Sequence, residues 1–424
     1  MYRALRRAVP VSIAAAALAG VATAPASPQP VSATYYVDSR TGDDAHAGSS
    51  PEHAWRSLRG AAAAHLRPGD RLLLRRGGSW PGGLELGASG SRGHPIVVAG
   101  YGAGPRPLVH GGTTCVSVSG SYVRLTGIAV RDCTWAGVSI AGSYVRVDDS
   151  LVSRNAAGID VVQGSRGDEL VGNTISRNNR MSVLTKTPTD DDSGAFGILL
   201  RGDGTYVAHN RITGCDAFSY DYGRDGSAVE VYGGRDNVIA WNIAADDRSF
   251  SELGDPRSAG NTYAYTLFTS SEPGATFLVT RGGRDGRGPV SGTRLYNNTA
   301  VLTGRGSDGV VCYAGCGPII LELRNNIVVA RHNALFADGR AVEDHDVFSG
   351  AVVEPARGVG TVVAAPRFAN AAAGDFHLTR SSPAVDRGVA VGYRRDLAGA
   401  RVPVDGNGDG TAAPDAGCFE YQRG

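Results

Sequence analysis

The chain has 424 residues, with 42 Lys+Arg against 41 Asp+Glu, a formal net charge of +1, and 60 glycines but only 2 methionines. A near-neutral chain with no basic run argues against a nucleic-acid binder, and no apolar stretch is long enough to span a bilayer comfortably, so no membrane partner is expected. The length would suit two or three ordinary domains, a count that elongated repeat folds ignore.

Residues 1–33 open with Arg3, Arg6 and Arg7, continue through an apolar stretch from Val9 to Ala22, and end in small residues and prolines. This is the layout of a secretory signal peptide, so the protein is expected to be secreted. Removing the segment takes away three arginines and no acid, leaving a mature charge of 39 minus 41, or −2. Export permits disulfides: Cys312 and Cys316, in VCYAGCG, suit a tight turn, Cys115 with Cys133 is a second candidate pair, and Cys215 and Cys418 have no evident partner.

Residues 34–107 hold the one convincing helical pattern, WRSLRGAAAAHL, among first short strands. From residue 108 the chain repeats itself. SYVRLTGIAV from Ser121 recurs as SYVRVDDSLV from Ser143, and looser copies begin at Gly167, Gly204, Arg235, Thr293 and Leu321. Shorter strands lie between them at Val138, Ile159, Ile198, Val229 and Gly309. A unit of roughly 22 residues with two short strands cannot bury its apolar face alone, whereas coils stacked at about 4.8 Å can.

A turn position repeats as well, at Cys133, Asn155, Asn178, Cys215 and Asp246, where asparagine side chains of successive coils can bond to one another and to the neighbouring backbone. The pattern resembles the right-handed parallel β-helix of the pectate-lyase superfamily, a solenoid with seven or eight coils between residue 108 and about 340. The resemblance implies that the helix caps the open first coil. It also implies that residues 351–424, after a β-helix over 108–350, form a small C-terminal capping module like that of exported bacterial β-helix proteins.

Within that module Asp405, Asn407, Asp409 and Gly410 follow the D-x-[DN]-x-[DN]-G arrangement, making the first three candidate ligands of a structural Ca²⁺. The glutamate such a loop carries at its twelfth position is missing, because Ala416 stands there. No organic cofactor is expected: the nine histidines show no paired zinc spacing, and no phosphate-binding glycine loop is present.

Three insertions, over 179–195, 216–226 and 247–262, interrupt consecutive coils and are expected to leave the stack at the same turn, side by side, as walls of a groove. The strand after that turn carries Ser139, Asp160, Leu199 and Glu230 at its outward position. In DGSAVEVYGG, Val229 and Val231 alternate with Glu230, so the carboxylate faces out beneath the insertions. Acids beside aromatic rings suit a sugar site, because rings stack on pyranose faces while charged groups hold hydroxyls and move protons.

Glu230 is therefore the candidate general acid, with Asp225 or Glu252 as its partner, and Asp160, Arg201, Tyr220, Asp221 and Tyr222 are candidate substrate-binding residues. The expected function is hydrolysis of an extracellular polysaccharide by a monomeric enzyme. A lyase acting by β-elimination on a uronate-containing glycan, with Ca²⁺ neutralising the acid sugar, would use the same groove with a basic residue, and Lys186 is the single lysine. The stretch from Asp225 to Asp247 is similar to a calcium-binding segment of one pectate lyase family. That likeness implies Asp225, Asp246 and Asp247 as cation ligands, although the basic residue expected near Glu230 and the later tryptophan–aspartate pair are absent. A glycan-binding rod without catalysis is the third alternative.

Overall fold

The computed structural model describes residues 32–187 and 189–423; the expected signal peptide, apart from positions 32 and 33, lies outside them. The chain winds into a parallel β-helix with three faces. The first face is a 12-stranded parallel sheet running from Thr34–Val37 through Arg71–Arg75 and Ile96–Tyr101 to Val342–Asp344. Coils therefore begin well before residue 108.

The third face carries the argument. Its strands Val116–Val118, Ala136–Ile140, Ala157–Val161, Phe196–Leu200, Ser227–Val231, Ser249–Glu252, Thr276–Arg281 and Asp308–Tyr313 pair in parallel succession. Val138, Ile159, Ile198 and Val229 are in register and fully buried inside the stack. The intervening outward positions are Ser139, Asp160, Leu199 and Glu230, as the alternation requires.

Buried polar ladders hold the corners. Between the first and second faces, the N–H of Asn173 donates to Asn210 Oδ1, that of Asn210 to Asn242 Oδ1, and that of Asn298 to Asn326 Oδ1. The residues preceding Asn210 and Asn242, His209 and Trp241, take left-handed φ of 57° and 53°, which turns the chain and points each asparagine inward. Between the second and third faces, Cys133, Asn155 and Cys215 donate their N–H to Asn155, Asn178 and Asp247. The rung is thus Asp247 and not Asp246: Ala245 pairs with Thr213, so the residue two further on meets Cys215, while Asp246 is the left-handed corner residue, φ 56°.

The helix, Leu58–Ala63, packs on the first strand and on Leu84–Leu86, with Leu58 and Ala61 in the core. The C-terminal segment lies along the second face: Phe376 and Cys418 pack on Leu267 and Val301, and Leu378 and Ala416 on Ile327 and Val347. Its covering of that face leaves the outer side of the third face free. Both expected disulfides form, Cys115–Cys133 and Cys312–Cys316, and Cys215 and Cys418 are buried thiols.

Replacing Asn210 by alanine is expected to destabilise the fold by about 2–3 kcal/mol, because the N–H of Asn173 and the carbonyl of Leu170 lose their partners in a dry interior. Denaturant titration measures it, and a loss within about 0.5 kcal/mol would show that the ladder is not holding the corner.

Candidate functional site

Two insertions leave the stack at the corner before the third face. The first carries the small hairpin Met181–Val183 with Ser193–Gly194, and the second carries Ala217–Ser219 with Gly223–Asp225. The third does not behave as the sequence suggests. Ser249–Glu252 pairs at once with Ser227–Val231, so the excursion over 253–261 leaves at the opposite corner of the third face, followed one coil later by 282–292. The strand was hidden because SFSE contributes a single core residue, Phe250. The third face is therefore walled on both sides, and the walls touch: Arg287 pairs with Asp190, whose carboxylate also accepts the Tyr222 hydroxyl.

The same pairing sets the chemistry. Ser227 lies opposite Ser249 and Val231 opposite Leu253, so Glu230 lies opposite Glu252 in the next coil. Glu230 is 9% exposed and accepts a hydrogen bond from the Ser227 hydroxyl, 2.5 Å away. Burial, then the charge of Glu252 and that of Asp225, raise its carboxyl well above the usual range, against the opposing pull of Ser227 and Arg281. Glu252 is more open and pairs with Arg281, an arginine only 1% exposed that lies over the Tyr313 ring. Asp225, at the foot of the second hairpin, is pushed up to about 7 by burial and by Glu252. The Tyr222 phenol is raised by partial burial and by the charges of Asp221, Asp225 and Glu252.

Asp160 lies two coils from Glu230, is 1% exposed, and grips Arg201 through both carboxylate oxygens. Beside it Phe196 and Leu199 form a small buried apolar cluster on the outward side of the strands, with Trp135 packed against it. Tyr220 stands exposed on the second hairpin, edge-on to Phe218. Sequence reasoning missed Ser227, Arg281 and the half-exposed Tyr232. The signal for Arg281 was a lone charge ending the apolar run TFLVT.

Lys186 is exposed on the first hairpin. Asp247 serves the corner ladder and Asp246 caps the N–H of Ser271, and with Asp225 they do not form a group of oxygens within 4.8 Å of one another. Asp405 accepts the N–H groups of Gly408 and Gly410 and pairs with Arg423, and Asn407 bonds to Asp409. That donor set is engaged within its own turn and fits a cation poorly. The group of three carboxylates with oxygens within 4.8 Å of one another, among the described residues, is Asp191, Asp192 and Asp221. Backbone groups already fill it: Asp221 accepts the N–H of Thr189, Asp191 and Asp192, while Asp192 accepts those of Tyr220 and Asp221. The arrangement clasps the two hairpins to each other. A cavity of about 400 Å³ lies elsewhere, by Asp38, Arg75 and Tyr101 on the first coils.

No protein-family model matches the sequence, and no curated protein matches it. Among solved structures, pectate lyase Pel9A is similar over 93% of this chain and 98% of its own, at 18% identity and a TM-score of 0.59. XylC in complex with xylose is similar over 92% and 99%, at 9% identity and a TM-score of 0.57. The chain thus shares the parallel β-helix fold of these structures.

Asp247 gives a pH test of the ladder assignment. Burial pushes its carboxyl up to about 8, against the hydrogen bonds from Cys215. A folded value above the unfolded one means that this acid stabilises fully below about pH 4 and that its contribution is lost as pH rises through about 8. Asp247→Asn keeps the acceptor for Cys215, so the melting temperature of the variant should gain on that of the parent between about pH 5 and about pH 9. A constant difference across that range would contradict the placement.

Proposed function

We propose that the protein is a secreted carbohydrate-active enzyme that hydrolyses glycosidic bonds of an extracellular polysaccharide, with Glu230 as general acid. The observation that carries this reading is a pair of carboxyls in adjacent coils with unlike surroundings. Glu230 is dry, bonded by Ser227 and crowded by acids, whereas Glu252 is open to the groove and paired with Arg281. Pairs of acids in contrasting environments divide the roles of acid and base.

Glu230 gives its proton to the glycosidic oxygen as the bond from that oxygen to the anomeric carbon breaks. Glu252, with Asp225 as the other candidate, takes a proton from the water that adds to that carbon, or attacks first and is released by water. Either route consumes one water and frees one reducing end. Tyr222 and Tyr232 offer stacking faces, and the Arg201–Asp160 pair offers donors and acceptors to sugar hydroxyls. The fold relatives, a pectate lyase and a protein holding xylose, support a carbohydrate substrate, and the two disulfides support export.

Incubation of the mature protein with neutral and acidic polysaccharides is expected to release reducing ends without the near-ultraviolet absorbance of an unsaturated product. Glu230→Gln should lose about 10²–10⁴ in rate at unchanged melting temperature. Unsaturated product, or undiminished turnover in the variant, would reject hydrolysis by Glu230 and bring Lys186 forward. Because Asp225 raises Glu230, Asp225→Asn should also move the alkaline limb of the rate profile, where Glu230 loses its proton, to lower pH. An unmoved limb would place the titrating acid elsewhere.

A further inference from the structure

Four arginines around Glu230 are already paired, Arg201 with Asp160, Arg224 with Asp216, Arg281 with Glu252 and Arg287 with Asp190, while Arg248, near Asp225, bonds to the carbonyls of Arg224 and Pro273. At the corner just before the third face, a few coils upstream, the balance reverses. Arg131, Arg154 and Arg180 converge on a single carboxylate, Asp132, and each has more than two-fifths of its side chain exposed. Arg177 is the next rung after Arg154, since Ser153 pairs with Ser176, and it lies exposed over Gly214. Three guanidiniums therefore share one acid, and a fourth, Arg177, follows on the next rung at about 4.8 Å with no carboxylate partner among the described residues.

Such a cluster repels itself unless anions neutralise it. Arg180 is also where the chain departs into the first hairpin, so the cluster stands at the upstream edge of the groove. We propose that Arg131, Arg154, Arg177 and Arg180 bind the acidic groups of an anionic polysaccharide lying along the stack, upstream of the bond that meets Glu230. The inference rests on the reading of the third face as a glycosidase site and adds the charge class of its substrate. A polymer with regularly spaced carboxylates or sulfates finds an arginine at each coil, while the sugar at the cleaved bond meets arginines that are mostly neutralised in pairs. Planar guanidinium groups suit such oxyanions through forked hydrogen bonds.

The test measures binding without turnover, in Glu230→Gln protein, against polygalacturonate, alginate, xylan and mixed-linkage β-glucan at several salt concentrations. Polygalacturonate or alginate should bind more tightly than the neutral polymers, with an affinity that falls as salt rises. Adding Arg177→Gln and Arg180→Gln, which leave the Arg154–Asp132 pair intact, should weaken that binding about tenfold and leave the melting temperature and any neutral-glycan binding unchanged. Equal or tighter binding of neutral polymers, indifference to the two substitutions, or equally tight binding of duplex DNA or phosphatidylserine vesicles would overturn the proposal. If acidic polymer binds through these arginines but the parent protein cleaves none, the surface assignment stands and the hydrolase reading falls.

Discussion

The structure depends on the parallel register between coils. Each coil contributes only a few residues to each face, too few to bury anything alone, and becomes stable by lying on the next with valines, isoleucines and leucines aligned. A slip of one residue would turn Val229 and Val231 outward and Glu230 into the core, so burial fixes the register strongly. The asparagine ladders reinforce it from inside the corners, where each side chain meets backbone groups that would otherwise be dry and unpaired.

That register also explains why the chemistry sits on one face. The second face is covered by the returning C-terminal segment, and the third is bordered by excursions from both of its corners. Beneath them, stacking places Glu230 against Glu252 at one strand spacing, and the hairpin of the neighbouring turn adds Asp225. Holding like charges together in a dry place destabilises the folded state unless one of them keeps its proton. The stack can hold such a group because its stability comes from many coils, most of them remote from the site.

Much of this was legible in the sequence, and the parts that were not share a cause. The repeat of SYVR, the alternation around Glu230 and the succession Ser139, Asp160, Leu199, Glu230 follow from period-2 burial, which the backbone enforces. The strand at Ser249–Glu252 was illegible because Phe250 is its one apolar residue and its polar pattern reads as loop. With it went the direct stacking of Glu252 on Glu230 and the second wall of the groove. The shift of the corner rung from Asp246 to Asp247 is the same kind of error, one residue of register that two adjacent aspartates cannot reveal. Contacts between distant segments, such as Arg281 with Glu252 or Arg287 with Asp190, have no local signature at all.

The central claim is that stacking keeps a proton on one specified carboxyl. Carbon-13 spectra of protein labelled at glutamate side-chain carboxyls, with the Glu230 signal identified by its loss in Glu230→Gln, measure this directly as pH is varied. The account predicts that this carboxyl titrates well above the ordinary glutamate value. A midpoint near about 4.3, the value of a solvated glutamate, would contradict it.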